Sequence, residues 1–180
     1  TQPVILSLDA SGSASLTAMM LNNGSSDNCA IDSMWISQAN FDCSHIGSNS
    51  VTLFARDASG NQNSSAVIVT VQDLINPVAQ ATNLTVYLDA SGNASIVAMD
   101  LEGGSTDNCG INSRSIDISS FTCSNVGNNT VTLTVTDNNG NVSTCNSVVT
   151  VEDNVAPTAI CQNVTVQLDA SGNGSITTAD

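Results

Sequence analysis

The sequence predicts an all-β protein built as tandem small sandwiches, and three observations carry that expectation. Its apolar residues are mostly Val, Ile, Leu and Ala, set in short alternating runs between turns rich in Asn, Asp, Ser and Gly, the pattern of short strands. No stretch sustains the apolar period of a helix. Third, the chain repeats itself. Asp9-Ala10-Ser11-Gly12 returns as Asp89-Ala90-Ser91-Gly92 and as Asp169-Ala170-Ser171-Gly172, a step of 80 residues each time. Asp27-Asn28-Cys29 returns as Asp107-Asn108-Cys109, Val51-Thr52-Leu53 as Val131-Thr132-Leu133, and Pro77 as Pro157, with no insertion or deletion between them. A repeat of this length defines the domains before any element is assigned: residues 1–80, residues 81–160, and residues 161–180 as the first two strands of a third repeat cut short.

The second repeat reads as follows. Leu84 to Leu88 alternates and stops at the Asp89 turn, and Ala94 to Met99 returns from it, so the pair is expected to form a hairpin. A polar loop, Glu102 to Asn108, leads to a strand over Ile111 to Ile118 and a short one over Phe121 to Ser124. Val131 to Thr136 is the cleanest alternation in the chain. It ends at Asp137-Asn138-Asn139-Gly140-Asn141, whose residue types suit a tight turn. Val142 to Glu152 is the last strand and Asp153 to Pro157 the linker. Six or seven short strands in 80 residues describe an immunoglobulin-like sandwich.

Composition excludes several functions. Two arginines, Arg56 and Arg114, face 16 acidic residues, for a formal charge of −14. Such a chain has no cationic surface to hold phosphates, so nucleic acid is not an expected partner, and anionic membranes repel it. No run reaches the ~18 apolar residues of a membrane span. The first residues, Thr1 to Val4, do not read as a signal peptide. With 41% hydrophobic residues the chain is too apolar for a disordered acidic tail.

The six cysteines imply an oxidising compartment. Cys29 and Cys43 in repeat 1 match Cys109 and Cys123 in repeat 2, and the spacing predicts the bridges Cys29–Cys43 and Cys109–Cys123. A zinc site would need four ligands, and each repeat offers two thiols and no repeated histidine. Cys145 and Cys161 have Ser65 and Ala81 as their counterparts. They are expected to pair with each other, although an immunoglobulin-like topology would set Cys145 opposite Ala81 instead.

No constellation reads as catalytic. His45, the only histidine, is replaced by Asn125 in repeat 2, and no serine has a base in a recognisable motif. Trp35 is matched by Ser115, so it is not a repeated sugar platform. The frequent Asn-x-Ser/Thr sequons, Asn83 and Asn141 among them, follow from composition.

Several motifs together, Pro157-x-x-Ile160-Cys161, Asp107-Asn108-Cys109-Gly110, Phe121 with Gly127, and Val131-Thr132 followed by Asp137, Gly140-Asn141 and Cys145, resemble the hyalin repeat (HYR) domain. They are more similar still to tandem repeats of very large secreted proteins of Bacteroidetes-type bacteria. That resemblance implies an immunoglobulin-like fold, an extracellular or cell-surface location, an adhesive or stalk role and no catalytic residues. Repeat 1 departs from the pattern at Ser65 and Ala81.

The functional expectation is therefore a structural repeat of a long extracellular fibre, stalk or adhesin. Its partners are neighbouring repeats of the same or like chains. The alternatives are a module binding a surface glycan or host ligand, and a filament subunit joined by strand addition through residues 161–180. Calcium is the one cofactor expected. Strand order sets Asp107, Asn108 and the turn of Asp137, Asn139 and Asn141 at the end of repeat 2 where the linker Asp73 to Asn76 enters. Calcium takes six to eight hard oxygens. Asp27, Asn28, Asp57 and Asn61 stand at the equivalent end of repeat 1, and Asp153 in the following linker.

Overall fold

Each 80-residue repeat closes its own sandwich. The computed structural model describes residues 4–176. The first repeat contains β1 (Val4–Ser7), β2 (Ser13–Ser15), the helical turn α1 (Ala18–Leu21), β3 (Ile31–Ile36), β4 (Asn40–Asp42), β5 (Gly47–Asp57) and β6 (Gln62–Gln72). The second contains β7 (Leu84–Tyr87), β8 (Asn93–Ser95), α2 (Ala98–Leu101), β9 (Ile111–Ile116), β10 (Ser120–Thr122), β11 (Gly127–Asp137) and β12 (Val142–Glu152). One sheet of each sandwich has four strands, in the orders β1-β6-β5-β3 and β7-β12-β11-β9, and the other has two, β2 with β4 and β8 with β10. The first strand runs parallel to the last, from Val4 beside Val69 and Leu84 beside Val149, and the remaining pairs are antiparallel. These are all-β, immunoglobulin-like sandwiches.

The expected hairpin over residues 84–99 does not form. β7 joins β12, while β8 pairs with β10 in the other sheet, with Ala94 beside Phe121. The Asp89 turn has a hairpin's local bonds, with its carboxylate accepting from the N–H groups of Ser91 and Asn93 at 2.8 and 3.0 Å. It nevertheless carries the chain from one sheet to the other. A short strand finds a better hydrophobic partner across the sandwich than beside it, because both faces must close on one core. Residues 98–101 then form a helical turn that drops Leu101 into the core, fully buried.

Period-two alternation fills that core. Val131, Leu133 and Val135 of β11 point inward, and Val149 and Val151 of β12 meet Phe121, Leu88 and Ile96. The first core repeats the positions with Val51, Val69, Val71, Phe41, Leu8 and Leu16.

Residues 161–176 form no strand, and residues 177–180, the end of the expected second strand there, lie outside the described residues. The Asp169 turn forms alone, its carboxylate accepting from Ser171 and Asn173 at 2.8 and 2.9 Å. In both complete repeats the first strand is held by the last strand, as Val4 is by Val69 and Leu84 by Val149.

Phe121→Ala removes the largest side chain of its core. It is expected to cost about 3–5 kcal/mol, a large part of the 5–15 kcal/mol of an ordinary domain. Calorimetry should show the transition of the second sandwich lowered or lost while that of the first stays in place.

Candidate functional site at the junction between the repeats

Three chain segments meet where repeat 1 hands over to repeat 2. The first is the linker. Asp73 follows β6 and is 5% exposed. Its Oδ1 accepts from the N–H of Ile75 at 3.1 Å and from Nδ2 of Asn108 at 3.2 Å, while its Oδ2 is buried without a partner. The second is the loop after α2. Oδ2 of Asp107 accepts from the N–H of Cys109 at 2.8 Å, and Oδ1 of Asp107 and Oδ1 of Asn108 are buried without a partner. The third is the turn between β11 and β12. Asp137 is 0% exposed and accepts from the N–H groups of Asn139 and Asn141, both at 2.8 Å, and from Nδ2 of Asn141 at 2.7 Å. Burial alone would raise the pKa of Asp137, but the bonds from Asn141, Asn139 and Gly140 outweigh it and hold the carboxylate below its usual range. The Asn141 amide also donates to the main-chain oxygen of Asp73 at 3.2 Å.

One oxygen from each of Asp73, Asp107 and Asp137 lies within 4.8 Å of the others. At that spacing, with an effective dielectric constant of 20, each pair of charges repels by about 3.5 kcal/mol or more. No basic side chain relieves this among the described residues, since the salt bridges there are Arg114 with Glu102 and His45 with Asp42. The donor set is all oxygen, with three carboxylates, the Asn108 amide oxygen and main-chain carbonyls nearby. It suits calcium and lacks the nitrogen and sulfur that zinc favours.

Of the candidate ligands, Asp73, Asp107, Asn108 and Asp137 are brought together. Asn139 contributes a main-chain N–H, Asn141 binds through its amide N–H groups, and Asn76 is exposed. At the far end of repeat 1 the same local turns recur. Asp27 accepts from the N–H of Cys29 at 2.8 Å, and Asp57 from Asn61 at 2.8 and 2.7 Å. There Asp27, Asn28 and Asn61 are exposed. Asp153, also exposed, accepts from Val155 at 3.0 Å as Asp73 does from Ile75.

The cysteine pairing differs from the one the spacing predicts. Cys43 bonds to Cys109, with S–S 2.07 Å and Cα–Cα 5.4 Å, and Cys29, Cys123, Cys145 and Cys161 are free. Cys29 precedes β3, whose Ile31 lies beside Asp57 at one end of β5. Cys43 precedes Gly47 at the other end. Eleven residues of β5 put roughly 33 Å between the two ends, and a disulfide needs Cα atoms about 4.4–6.8 Å apart. The equivalent positions therefore meet across the junction and not within a repeat. Gly12 makes this approach possible, because a Cβ there would lie 2.8 Å from Cys43 Sγ and 3.0 Å from the Asn108 oxygen. Cys145 and Cys161 do not pair either. Cys145 sits within β12 opposite Leu133, while Cys161 lies past the second sandwich, in residues that form no strand.

Glu102 frames the loop. Its Oε1 accepts from Gly104 at 2.9 Å and from Ser105, and its Oε2 pairs with Arg114. The loop in turn holds the linker. Ser105 Oγ accepts from Gln80 N–H at 3.0 Å, and Val78 exchanges main-chain bonds of 2.8 and 3.1 Å with Thr106.

The remaining candidates have local roles. His45 Nδ1 lies 2.8 Å from Asp42 at the start of a short helical turn, and Trp35 stacks on Phe54 at 5.3 Å. An open groove of about 320 Å³ on repeat 1 is lined by Ser25, Ser26, Asp27, Arg56, Asp57 and Asn61 among others.

No family model and no curated protein matches the chain. Distant likenesses exist among solved structures. Fibronectin(III)-like modules of Clostridium thermocellum CbhA are 10% identical over 91% of this chain and 97% of theirs, with TM-score 0.34. Human mucin-like protocadherin is 14% identical over 84% and 97%, with TM-score 0.35. An I-band fragment of titin is 12% identical over 84% and 63%, with TM-score 0.39. Likenesses this remote say nothing of what the chain does.

Three outcomes follow from this geometry. Peptide mapping of the monomer should recover Cys43 linked to Cys109, with Cys29 and Cys123 open to alkylation. Closing that loop contributes about 4 kcal/mol in the chain-entropy account. Cys43→Ser should leave both sandwiches folded and broaden the angle between them in X-ray scattering. Burial would raise the pKa of Glu102, but the bonds from Ser105, Arg114 and Gly104 bring it to about 2. The stability it contributes is complete above its ordinary value of 4.5 and is lost as pH falls toward about 2. The melting temperature should drop over that window, and Glu102→Gln should flatten the drop.

Proposed function

We propose that the chain is a structural stretch of an extracellular fibre or stalk, non-catalytic, in which calcium stiffens the junction between successive repeats. The observation that supports this most is the convergence of Asp73, Asp107 and Asp137, with unpartnered buried oxygens on Asp73, Asp107 and Asn108. A buried carboxylate oxygen without a partner is costly. An ion taking these oxygens would remove both the desolvation cost and the mutual repulsion. The ligands come from the linker of one repeat and two loops of the next, so binding would fix one sandwich relative to the other and leave each core unchanged. The Cys43–Cys109 bridge supports an oxidising, extracellular setting. No helix among the described residues is long and apolar enough to cross a membrane.

Calcium at a hundred times its Kd should add about 2.7 kcal/mol, a rise in melting temperature of about 10 °C or more for domains of this size. Asp107→Asn should abolish the rise, and excess chelator should make the pair of repeats flex in solution scattering. A melting curve and scattering profile indifferent to chelator would exclude the ion.

A further inference from the structure

We propose that the Cys43–Cys109 bridge and the calcium site at the junction are thermodynamically coupled, so that the ion protects the disulfide from reduction and the disulfide tightens the hold on the ion. The inference rests on the calcium reading of the same site and adds its regulation.

The coupling lies in three consecutive residues. Asp107 is one of the three clustered carboxylates, Asn108 carries a buried oxygen without a partner, and Cys109 holds the bridge. The N–H of Cys109 donates to Asp107 Oδ2 at 2.8 Å, so a shift of one is passed to the other. Repeat 1 contacts this segment from separate parts of its chain. The main-chain oxygen of Asp9 accepts from Asn108 Nδ2 at 3.2 Å. Asp73 Oδ1 accepts from the same nitrogen at 3.2 Å. Cys43 Sγ lies 3.4 Å from the main-chain oxygen of Asn108, and Asn108 Nδ2 lies 3.6 Å from Cys109 Sγ. The side chain of Asn108 therefore touches the linker carboxylate, a turn of repeat 1 and the disulfide at once.

Ion and bridge favour the same closed junction. The ion needs Asp73 of one repeat beside Asp107 and Asp137 of the next, and the bridge needs Cys43 of one beside Cys109 of the next. Without the ion, like charges oppose the arrangement that the bridge fixes. Without the bridge, part of the ion's binding energy goes into ordering ligands from two sandwiches. Each event lowers the cost of the other, and linkage makes the factor equal in both directions. Couplings between sites are commonly about 5- to 150-fold. A tenfold factor corresponds to about 30 mV in the potential of a two-electron disulfide couple.

Reduction needs a dithiol, and dithiothreitol serves. One of its thiolates attacks a bridge sulfur, the S–S bond breaks, and the other protein sulfur leaves and takes a proton. The second dithiothreitol thiolate then attacks the mixed disulfide, closes a cyclic disulfide and releases the remaining protein sulfur, which is protonated in turn. Two electrons and two protons pass from the dithiol to Cys43 and Cys109.

The test uses the 180-residue chain with its free cysteines, Cys29, Cys123, Cys145 and Cys161, carbamidomethylated, so that only the bridge answers to the redox buffer. Calcium is the probe, because soft ions would bind the released thiols. Calorimetric titration of the bridged protein and of the Cys43→Ser, Cys109→Ser double variant should show calcium Kd about tenfold higher without the bridge. In the reciprocal measurement, the ratio of reduced to oxidised dithiothreitol that reduces half the protein should be about tenfold higher in saturating calcium than in chelator. Asp107→Asn should remove that shift. Equal Kd in both proteins, with a reduction ratio indifferent to calcium, overturns the coupling and leaves the calcium site standing. A change in Kd alone overturns it as well, since linkage demands both. A calcium shift that survives Asp107→Asn overturns it too, by placing the effect outside this site. No calcium binding to either protein overturns the calcium reading and the coupling with it.

Discussion

The gathering of three carboxylates at one point, with no basic side chain beside them, is the constraint on which the rest of the junction depends. Asp73 comes from the first repeat and Asp107 and Asp137 from the second, so no single sandwich meets the electrostatic cost alone. Local hydrogen bonding meets part of it. Asp137 is satisfied by its own turn, and Asp107 by the N–H of Cys109. What those turns cannot satisfy are the oxygens that face the shared centre. Neither of the chain's two arginines is placed to bridge the three segments, since Arg114 pairs with Glu102 and Arg56 lies in the groove of repeat 1.

The linker has a double allegiance that follows from this. Its first residues belong to the carboxylate centre, and Pro77 is buried. From Val78 onward it belongs to repeat 2, bonded to Thr106, Gly103 and Leu101 before it enters β7. Ser147 then donates to the carbonyl of Thr82 at 2.6 Å and the N–H of Val148 to Asn83 at 2.9 Å. A linker hydrogen-bonded along its length has little of the freedom of a Gly-Ser tether. The Cys43–Cys109 bond adds a second attachment from a different strand. Two separate tethers restrict rotation between the sandwiches in a way that one flexible segment does not.

The cores, the long strands and the carboxylate cluster were legible in the sequence, for physical reasons. Val131, Leu133 and Val135 alternate because one face of β11 is buried, and a gapless repeat places Asp73, Asp107 and Asp137 at one end of the fold once strand order is granted. Two readings failed because local sequence carries no information about sheet membership. The Asp89 turn has the residues of a hairpin turn, yet β7 and β8 part to opposite sheets. Cys29 and Cys43 are near in sequence, yet β5 shows them to be at opposite ends of the sandwich. The useful signal was the length of the Gly47–Asp57 strand, since one cysteine lies beside each of its ends.

Repetition itself then explains why that mispairing is informative. In an exact repeat, a cysteine pair at opposite ends of each sandwich can be satisfied only by the neighbours, the first of one repeat with the second of the repeat before it. An intra-repeat bridge would have strengthened each bead and left the joint free. The observed bridge leaves each bead to its Val, Leu and Phe core and spends the covalent bond on the joint. Cys145, by contrast, lies in β12 opposite Leu133, and β7, which enters beside Val149, is the neighbouring strand of the same bead. Position 81 is alanine, and no disulfide lies within the second repeat. The covalent bond in this chain is placed between domains, while stability inside each domain comes from burial.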